Sequence, residues 1–160
     1  MQILAGVITI SDRAARGEYD DLGGPSVAKA AAGYGWKVGA QTLVADEKRD
    51  IQRAIRELIA QGCHVVLTTG GTGIAARDVT PEAVREIAER ELPGFGEVMR
   101  RESMKLTKNA ILSRGLAATV GRALVICLPG KPSGAVECLE FVAGAVEHGV
   151  EVLQEAATNC

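Results

Sequence analysis

Residues 65–84 read VVLTTGGTGIAARDVTPEAV and contain an apolar run, a glycine-rich loop and the start of a helix, in that order. The β-branched and apolar run predicts a strand that is buried on both faces of a sheet. Glycines follow at once, and Thr80-Pro81 predicts the cap and first turn of a helix. Strand, loop and helix in this order form the unit that builds α/β domains with parallel sheets.

The same alternation extends in both directions along the chain. Strands are predicted for residues 3–10, 36–44, 64–69 and 122–128, the first and last of them buried. Five helices are predicted. They begin near Pro25, run from the N-cap Asp46 to Gly62 and from Thr80 to Pro93-Gly94, and cover residues 95–105 and 133–155. Gly144 and Gly149 weaken the last helix. Residues 108–119 show no clear period. The sequence therefore predicts an α/β layered fold with a mostly parallel central sheet, formed by residues 1–160 as one domain.

Composition excludes several functional classes. The 160 residues are 47% apolar and 24% charged, which is ordinary for a globular protein. A net charge of −2 and only 3% aromatic residues argue against binding nucleic acid. The apolar start of the chain lacks a basic segment and reaches Asp12 quickly, which indicates a strand and not a signal peptide. No apolar run approaches the roughly 18 residues of a membrane span, so we expect no membrane partner.

The four cysteines, Cys63, Cys127, Cys138 and Cys160, form no CxxC pair. Their spacing predicts neither a zinc site nor a disulfide framework. Two of them lie in apolar runs and are expected to be buried as small apolar side chains. These features predict a protein of the reducing cytoplasm.

Polar or glycine-rich loops follow the predicted strands. Ligands of parallel sheets bind beyond the carboxyl ends of the strands. Three of these ends carry Ser11-Asp12-Arg13, the glycine loop 70–73, and the Pro129–Ser133 loop, and Asp46 after the second strand can reach the same rim. We therefore expect these segments to form one pocket.

The glycine loop offers main-chain N–H groups that anionic oxygens can approach closely. No lysine follows Gly73, so the loop is not that of a P-loop ATPase. The spacing Gly71-x-Gly73-x-x-Ala76 matches the loose dinucleotide fingerprint, but the helix starts too late and the strand is the third, not the first. A tight turn without a ligand is the alternative, although four small residues exceed what a turn requires.

Acidic residues flank this phosphate-type loop. Asp78 can form an Asx turn or pair with Arg77, Asp46 can cap a helix, and Asp12 can pair with Arg13. If these carboxylates lie at one rim, they would repel a phosphorylated substrate unless a divalent cation bridges them. Carboxylates together with substrate phosphates are the usual ligands of Mg²⁺. The pattern therefore indicates Mg²⁺-dependent nucleotide chemistry.

Some of the other polar residues allow both a functional and a structural interpretation, and others only a structural one. Lys131 stands between two prolines that can aim its ammonium group at an anion, or it is a solvated loop lysine. Ser113-Arg114 can contact an anion or form a surface turn. His64 and His148 have no partners typical of a catalytic triad or a metal site and are predicted to be structural.

Several stretches resemble a known family. TTGGTGIAARDVTPEA (68–83) resembles the signature of the molybdenum-cofactor biosynthesis domain, which Mog-type, MoaB-type and MoeA-type proteins and plant and animal G domains share. ITISDRAARGEYDDLGGP, LPGFGEVMRRES, AILSR and LPGKPSGAVECLE are similar to the Mog type. The similarity covers nearly the whole chain in collinear order. Cys127 stands where many relatives carry Asn, and Val120 stands where an Arg often occurs.

This resemblance implies a fold, an activity and a site. The fold would be a three-layer α/β sandwich, usually in a homotrimer. The activity would be that of a molybdopterin adenylyltransferase, which transfers AMP from Mg-ATP to molybdopterin and releases pyrophosphate. Asp46 and Asp78 would be the catalytic and Mg²⁺-binding aspartates. The residues implied to line the pterin and nucleotide pocket are Ser11, Asp12, Arg13, Gly70, Gly71, Thr72, Gly73, Ser113, Pro129, Gly130, Lys131, Pro132 and Ser133.

The resemblance leaves other functions open. A MoaB-like protein would bind the pterin with weak or no transfer activity, and a trimeric scaffold would have none. A downstream protein that inserts molybdenum is a candidate partner of the enzyme. An NAD-binding redox domain is disfavoured by the late start of the helix after the glycine loop.

Overall fold

The computed structural model describes residues 1–155 and contains one mixed sheet with helices on both faces. Its strands are β1 Leu4–Ile10, β2 Lys37–Val44, β3 Val65–Thr69, β4 Arg90–Glu91, β5 Ala117–Val120 and β6 Ala123–Leu128. Its α-helices are α1 Asp12–Ala15, α2 Gly23–Gly33, α3 Lys48–Ala60, α4 Thr80–Ile87, α5 Pro93–Ser103 and α6 Pro132–Glu155. A 3₁₀ helix covers Lys108–Leu112.

The sheet has the strand order β2-β1-β3-β6-β5-β4. The first four strands in this order are mutually parallel, whereas β5 is antiparallel to β6 and to β4. The predicted α/β fold with a mostly parallel sheet is therefore confirmed.

Two apolar cores separate the sheet from the helices, which makes three layers. In β3, Val65 and Leu67 face one core and Val66 faces the other, as the alternation of side chains along a strand requires. Helices α2, α5 and α6 contribute to the first core, and α3 and α4 contribute to the second. A sheet covered on both faces accounts for strands that read as nearly continuous apolar runs.

Helix α3 is the helix for which the sequence pattern was clearest, and its buried face agrees with that pattern. Ile51, Ala54, Ile55 and Leu58 are buried along one face, at the spacing of an amphipathic helix. The chain leaves the helix through Gly62, whose φ of 93° favours glycine.

Several boundaries differ from the sequence predictions. The segment after β1, predicted as a loop, contains the short helix α1, because Ser11 Oγ accepts a hydrogen bond from the Ala14 N–H. Helix α2 begins at Gly23 and not near Pro25. Helix α4 ends at Ile87 and not at Pro93-Gly94. Pro93 instead opens α5, where a missing N–H costs nothing. Helix α6 continues through its glycines without a break.

Strands β4 and β5 were not predicted from the sequence. They are short, and they form by pairing across the chain: Arg90 lies opposite Thr119, and Glu91 lies opposite Ala118. Nothing in a two-residue strand distinguishes it locally from a turn, so only the tertiary contact defines it.

The predicted structural roles are confirmed for the described cysteines and for His64, whereas His148, also predicted to be structural, has a side chain that is 82% exposed. Cys63, Cys127 and Cys138 are buried free thiols, whereas Cys160 lies outside the described residues. His64 Nδ1 accepts the Leu4 N–H at 3.0 Å and so joins β1 to the start of β3. Within residues 1–155, no helix is both long and apolar enough to cross a membrane.

Candidate functional site

The carboxyl ends of the four parallel strands meet at one edge of the sheet, as predicted. Ser11 N, after β1, donates to the Val44 carbonyl of β2 at 3.0 Å. Gly70 N, after β3, donates to the Leu128 carbonyl of β6 at 3.2 Å. Thr69 Oγ1 donates to the Pro129 carbonyl at 2.7 Å. These hydrogen bonds therefore join the loop after β1 to the end of β2, and the loop after β3 to the end of β6.

The glycine loop, residues 70–73, has a shape that side chains would prevent. Gly70 and Gly71 have φ angles of 107° and 69°. A Cβ atom on Gly70 would collide with the main-chain oxygen of Ile10, and one on Gly71 would collide with Thr80 Oγ1. The loop can approach β1 and α4 this closely only because both positions are glycine.

Thr80 has a different role from the predicted N-cap. Its hydroxyl donates to the Gly70 carbonyl at 3.0 Å, and its N–H donates to the Gly71 carbonyl at 3.1 Å. The side chain is fully buried and forms no capping bond with α4. Thr80 thus fastens the glycine loop to the start of α4.

Asp12 and Asp46 are joined by two reciprocal hydrogen bonds. The Asp12 N–H donates to Asp46 Oδ2 at 2.8 Å, and the Asp46 N–H donates to Asp12 Oδ1 at 3.0 Å. The prediction of Asp46 as N-cap of α3 is wrong, because Glu47 precedes that helix and Asp46 turns to the β1 loop instead. Each aspartate therefore has its orientation set by the main chain of the other.

Arg77 lies across these acids. Its Nε and Nη2 donate to the two oxygens of Asp12 at 2.9 and 3.1 Å, and Nη2 donates to Glu47 Oε1 at 2.8 Å. The Arg77 guanidinium lowers the pKa of the Asp12 carboxyl below its usual value. Arg13, the predicted partner of Asp12, instead lies over the Tyr19 ring at 5.1 Å.

Asp78 lies against the glycine loop. Its Oδ2 accepts the Ala75 N–H at 2.9 Å, and a Cβ atom on Gly73 would come within 2.8 Å of the same oxygen. Arg77 pairs with Asp12 and Glu47, so the predicted alternative of an Arg77–Asp78 ion pair is wrong.

Burial raises the pKa of the Asp46 carboxyl, and the charges of Asp12 and Asp78 raise it further. We refer to Asp12, Asp46, Glu47 and Asp78 as the acidic side of the loop.

A cavity of about 430 Å³ lies on the other side of the glycine loop. It contains six of the predicted site residues: Thr72, Gly73, Ser113, Pro129, Gly130 and Lys131. Residues that the sequence analysis did not single out also line it, among them Met99, Arg100, Ser103, Thr107, Asn109, Leu112 and Cys138. We refer to this cavity as the pocket. Ser11, Asp12, Arg13, Asp46, Gly70, Gly71, Asp78, Pro132 and Ser133 do not line it.

The predicted single pocket is therefore two adjoining regions separated by residues 70–73. Cys127 also lines the pocket. Burial raises the pKa of its thiol to about 12, so it remains neutral and offers no nucleophile.

Arg114 is a functional candidate whose role the sequence analysis left open. Its Nε donates to the Gly73 carbonyl at 2.8 Å and its Nη2 to the Asp78 carbonyl at 2.7 Å, while Nη1 pairs with Glu82. Its N–H also donates to the Thr72 carbonyl at 2.9 Å. Arg114 thus closes the loop between Gly73 and Asp78, and Ser113 beside it turns towards the pocket. In the sequence, only the position of Arg114 directly after Ser113, in the segment AILSR, indicated that it lies at the site.

The acidic side fits a magnesium ion that also binds phosphate. Among the described residues, no group of three or more His, Cys, Asp or Glu side chains is arranged to hold a metal. Mg²⁺, however, commonly takes one or two carboxylates and completes its shell with water and substrate phosphates. Asp46 and Asp78, whose charges repel each other, supply such a pair.

Comparison with known proteins reveals close similarity to enzymes of molybdenum cofactor biosynthesis. Residues 6–148 match the sequence family described as "Probable molybdopterin binding domain". A molybdopterin adenylyltransferase of Helicobacter pylori is 41% identical over 151 residues, covering 92% of this chain and 86% of that protein. One of Escherichia coli K12 is 42% identical over 158 residues, covering 91% of this chain and 78% of that protein.

A solved structure has the same fold. The molybdopterin biosynthesis enzyme MoaB of Thermus thermophilus superposes with a TM-score of 0.89 at 40% identity. The superposition covers 95% of this chain and 96% of that one.

Proposed function

This chain belongs to the molybdopterin-binding domain family, and we propose that it is a molybdopterin adenylyltransferase that transfers AMP from ATP to molybdopterin in molybdenum cofactor biosynthesis. Relatives with that name align over more than nine tenths of the chain. The structural observation that carries the proposal is the glycine loop, which separates a carboxylate pair from a pocket of ligand size.

The two regions suit the two substrates differently. A volume of about 430 Å³ is within the usual range of small-molecule sites. The pocket also combines apolar walls with hydrogen-bonding groups such as Asn109 and cations such as Lys131. We therefore assign the pterin to the pocket and the ATP phosphates to the acidic side.

The reaction needs no nucleophile from the protein. An oxygen of the terminal molybdopterin phosphate attacks the α-phosphorus of ATP, a new P–O bond forms, and the bond to the β-phosphate breaks to release pyrophosphate. The contribution of the protein is to hold two polyanions in line and to stabilise the negative charge that develops. Main-chain N–H groups of the glycine loop and the Lys131 ammonium supply positive potential for this purpose.

Mg²⁺ is part of the proposal. Asp46 and Asp78 would hold it together with ATP phosphates, and it would neutralise charge that otherwise keeps the phosphates away from the carboxylates. Ser11, Arg13, Pro132 and Ser133, which begin the two helices that follow β1 and β6, would complete the nucleotide-binding rim.

We further propose that the protein acts in the cytoplasm as a homotrimer and that a molybdenum-inserting protein receives its product. The buried free thiols fit a reducing compartment. Light scattering tests the trimer, and a monomer at micromolar concentration would contradict it.

The decisive experiment is transfer of AMP by the purified protein with molybdopterin, ATP and Mg²⁺. We expect adenylated molybdopterin and pyrophosphate in equal amounts. The second candidate is a MoaB-like protein that binds the pterin with weak or no transfer activity, and the similarity of the fold to the molybdopterin biosynthesis enzyme MoaB of Thermus thermophilus is compatible with it. Pterin binding without any adenylated product, under conditions in which the Escherichia coli enzyme works, would favour that candidate.

A further inference from the structure

The acidic side contains its own positive charge. Arg77 makes three hydrogen bonds to two carboxylates, Asp12 and Glu47, that come from different parts of the chain. Its side chain is 58% exposed, so its place does not depend on burial in a core. The carboxylates attract it to this position.

Arg77 divides the four carboxylates into two pairs. Both oxygens of Asp12 and one oxygen of Glu47 bind its guanidinium. Asp46 and Asp78 accept only main-chain N–H groups, those of Asp12 and Ala75. Within residues 1–155 no cationic side chain forms an ion pair with either of them, so these two carboxylates are the open pair.

This division determines how strongly the acidic side attracts a cation. Neighbouring carboxylates without a counter-charge attract a divalent cation through the negative potential that they share. Two carboxylates beside a fixed guanidinium attract a divalent cation much less, because the guanidinium repels it. The phosphates of a nucleotide would then be needed to complete the ligand shell.

We propose that Arg77 is a resident counter-cation that positions Asp12 and offsets the negative charges of Asp12 and Glu47, so that Asp46 and Asp78 take up a divalent cation only together with ATP. Arg77 is in this sense a positioning residue: it fixes Asp12, which through the reciprocal hydrogen bonds fixes Asp46. The proposal rests on the proposed function for its biological meaning, because it concerns the nucleotide of that reaction. Its physical content is a property of the protein and a metal ion alone.

The test measures metal binding without any substrate. Mn²⁺ is titrated into the protein without ATP or pterin, and free Mn²⁺ is followed by electron paramagnetic resonance. We expect weak binding to the unaltered protein, and binding roughly tenfold tighter or more to Arg77→Met, because a repelling charge has left and the charges of Asp12 and Glu47 are no longer compensated. Arg101→Met removes an arginine that is 68% exposed and pairs with Glu102 of α5, a helix that contributes no residue to the acidic side, so this variant should bind Mn²⁺ like the unaltered protein.

Arg77→Lys is the second variant. It keeps the charge, but its single ammonium group lacks the planar fork that bridges Asp12 and Glu47, so we expect Mn²⁺ affinity between those of the other two proteins. Circular dichroism verifies that each variant is folded. Unchanged or weaker Mn²⁺ binding by folded Arg77→Met and Arg77→Lys overturns the proposal.

The two proposals can fail separately. Tighter Mn²⁺ binding by Arg77→Met in a protein that never adenylates molybdopterin would sustain the role of Arg77 and refute the transferase. Normal transfer by the unaltered protein, with no effect of Arg77→Met on Mn²⁺ binding, would do the reverse.

Discussion

On one side of residues 70–73 lie four carboxylates whose geometry is set by main-chain N–H groups and one guanidinium. On the other side lies a cavity with apolar walls and a few polar groups, among them Arg100 and Lys131. The first region is organised by charge and hydrogen bonds, and the second by shape. A single glycine loop contacts both, because Gly73 lines the pocket while Gly71 and Gly73 also lie close to the carboxylates of Asp46 and Asp78.

The difference shows how the protein can bring two polyanions together. In the proposed function each substrate would meet a surface suited to it, and only the glycine loop lies between the two surfaces. Arg114 and Thr80 hold that loop from opposite ends. The comparison therefore predicts that changes on either side have separable effects, whereas changes in the loop affect both sides.

The largest effect should come from removing one charge on the acidic side. Asp78→Asn keeps an oxygen that can accept the Ala75 N–H, so the loop should retain its shape. Turnover in the adenylyl transfer assay should fall roughly 100- to 1,000-fold, because charge stabilisation at the reacting phosphate is lost. The pterin affinity, measured by fluorescence, should remain near its normal value. Normal turnover would exclude a metal-binding role for Asp78.

A change within the shared loop should damage both regions. Gly70→Ala places a Cβ atom against the main-chain oxygen of Ile10 at a φ angle that disfavours alanine, and should lower the free energy of unfolding by roughly 2–4 kcal/mol. Denaturant unfolding measures this loss.

Gly144→Ala in α6 is the matched control for that change. No atom outside the helix lies within 4 Å of the added methyl group, so this variant should be about 0.5–1 kcal/mol more stable. Equal stability changes in the two variants would show that the loop geometry is not strained against β1.

A change on the pocket side should affect the pterin alone. Lys131→Met removes an exposed ammonium group that lines the pocket, and we expect the KM for molybdopterin to rise roughly tenfold with little change in the KM for ATP. Lys29→Met on the exposed surface of α2 is the control and should leave both constants unchanged. An equal rise in both constants would mean that the two sides are not separate.

The smallest expected effect is a change in thermal stability when the charge of Asp46 is removed. The pKa of the Asp46 carboxyl is raised by burial, which means that the ionised group destabilises the folded state at neutral pH. Asp46→Asn retains an acceptor for the Asp12 N–H and should therefore raise Tm slightly while transfer is lost. A clear fall in Tm would show that the carboxylate is required for folding and not only for function.

Local sequence patterns predicted the parts of the fold that depend on neighbouring residues. The period of Ile51, Ile55 and Leu58 sufficed for α3, and apolar runs sufficed for β1 and β3. The glycine loop and both flanking acids were also recognisable, because phosphate-type chemistry requires those residue types.

Partners far apart along the chain could not be predicted. Arg77 and Asp12 are 65 residues apart, and Arg114 and Gly73 are 41 apart. Asp46 has the sequence context of a helix cap, but a main-chain N–H from the β1 loop competes for its carboxylate and wins. Arginines and acids are common on any surface, so their pairing becomes visible only after the sheet has aligned the strand ends.

The acidic side depends on a strand with few restraints. Strand β2 is at one end of the sheet, and none of its residues is fully buried. Asp46 follows this strand, whereas the pocket is attached to β3 and β6 in the middle of the sheet. Peripheral strands tend to open in sub-global fluctuations that leave the rest of the molecule folded. Gentle warming should therefore separate the two aspartates Asp12 and Asp46 while the pterin site persists, and native-state hydrogen exchange would detect this as earlier release of the β2 amides than of those in β3.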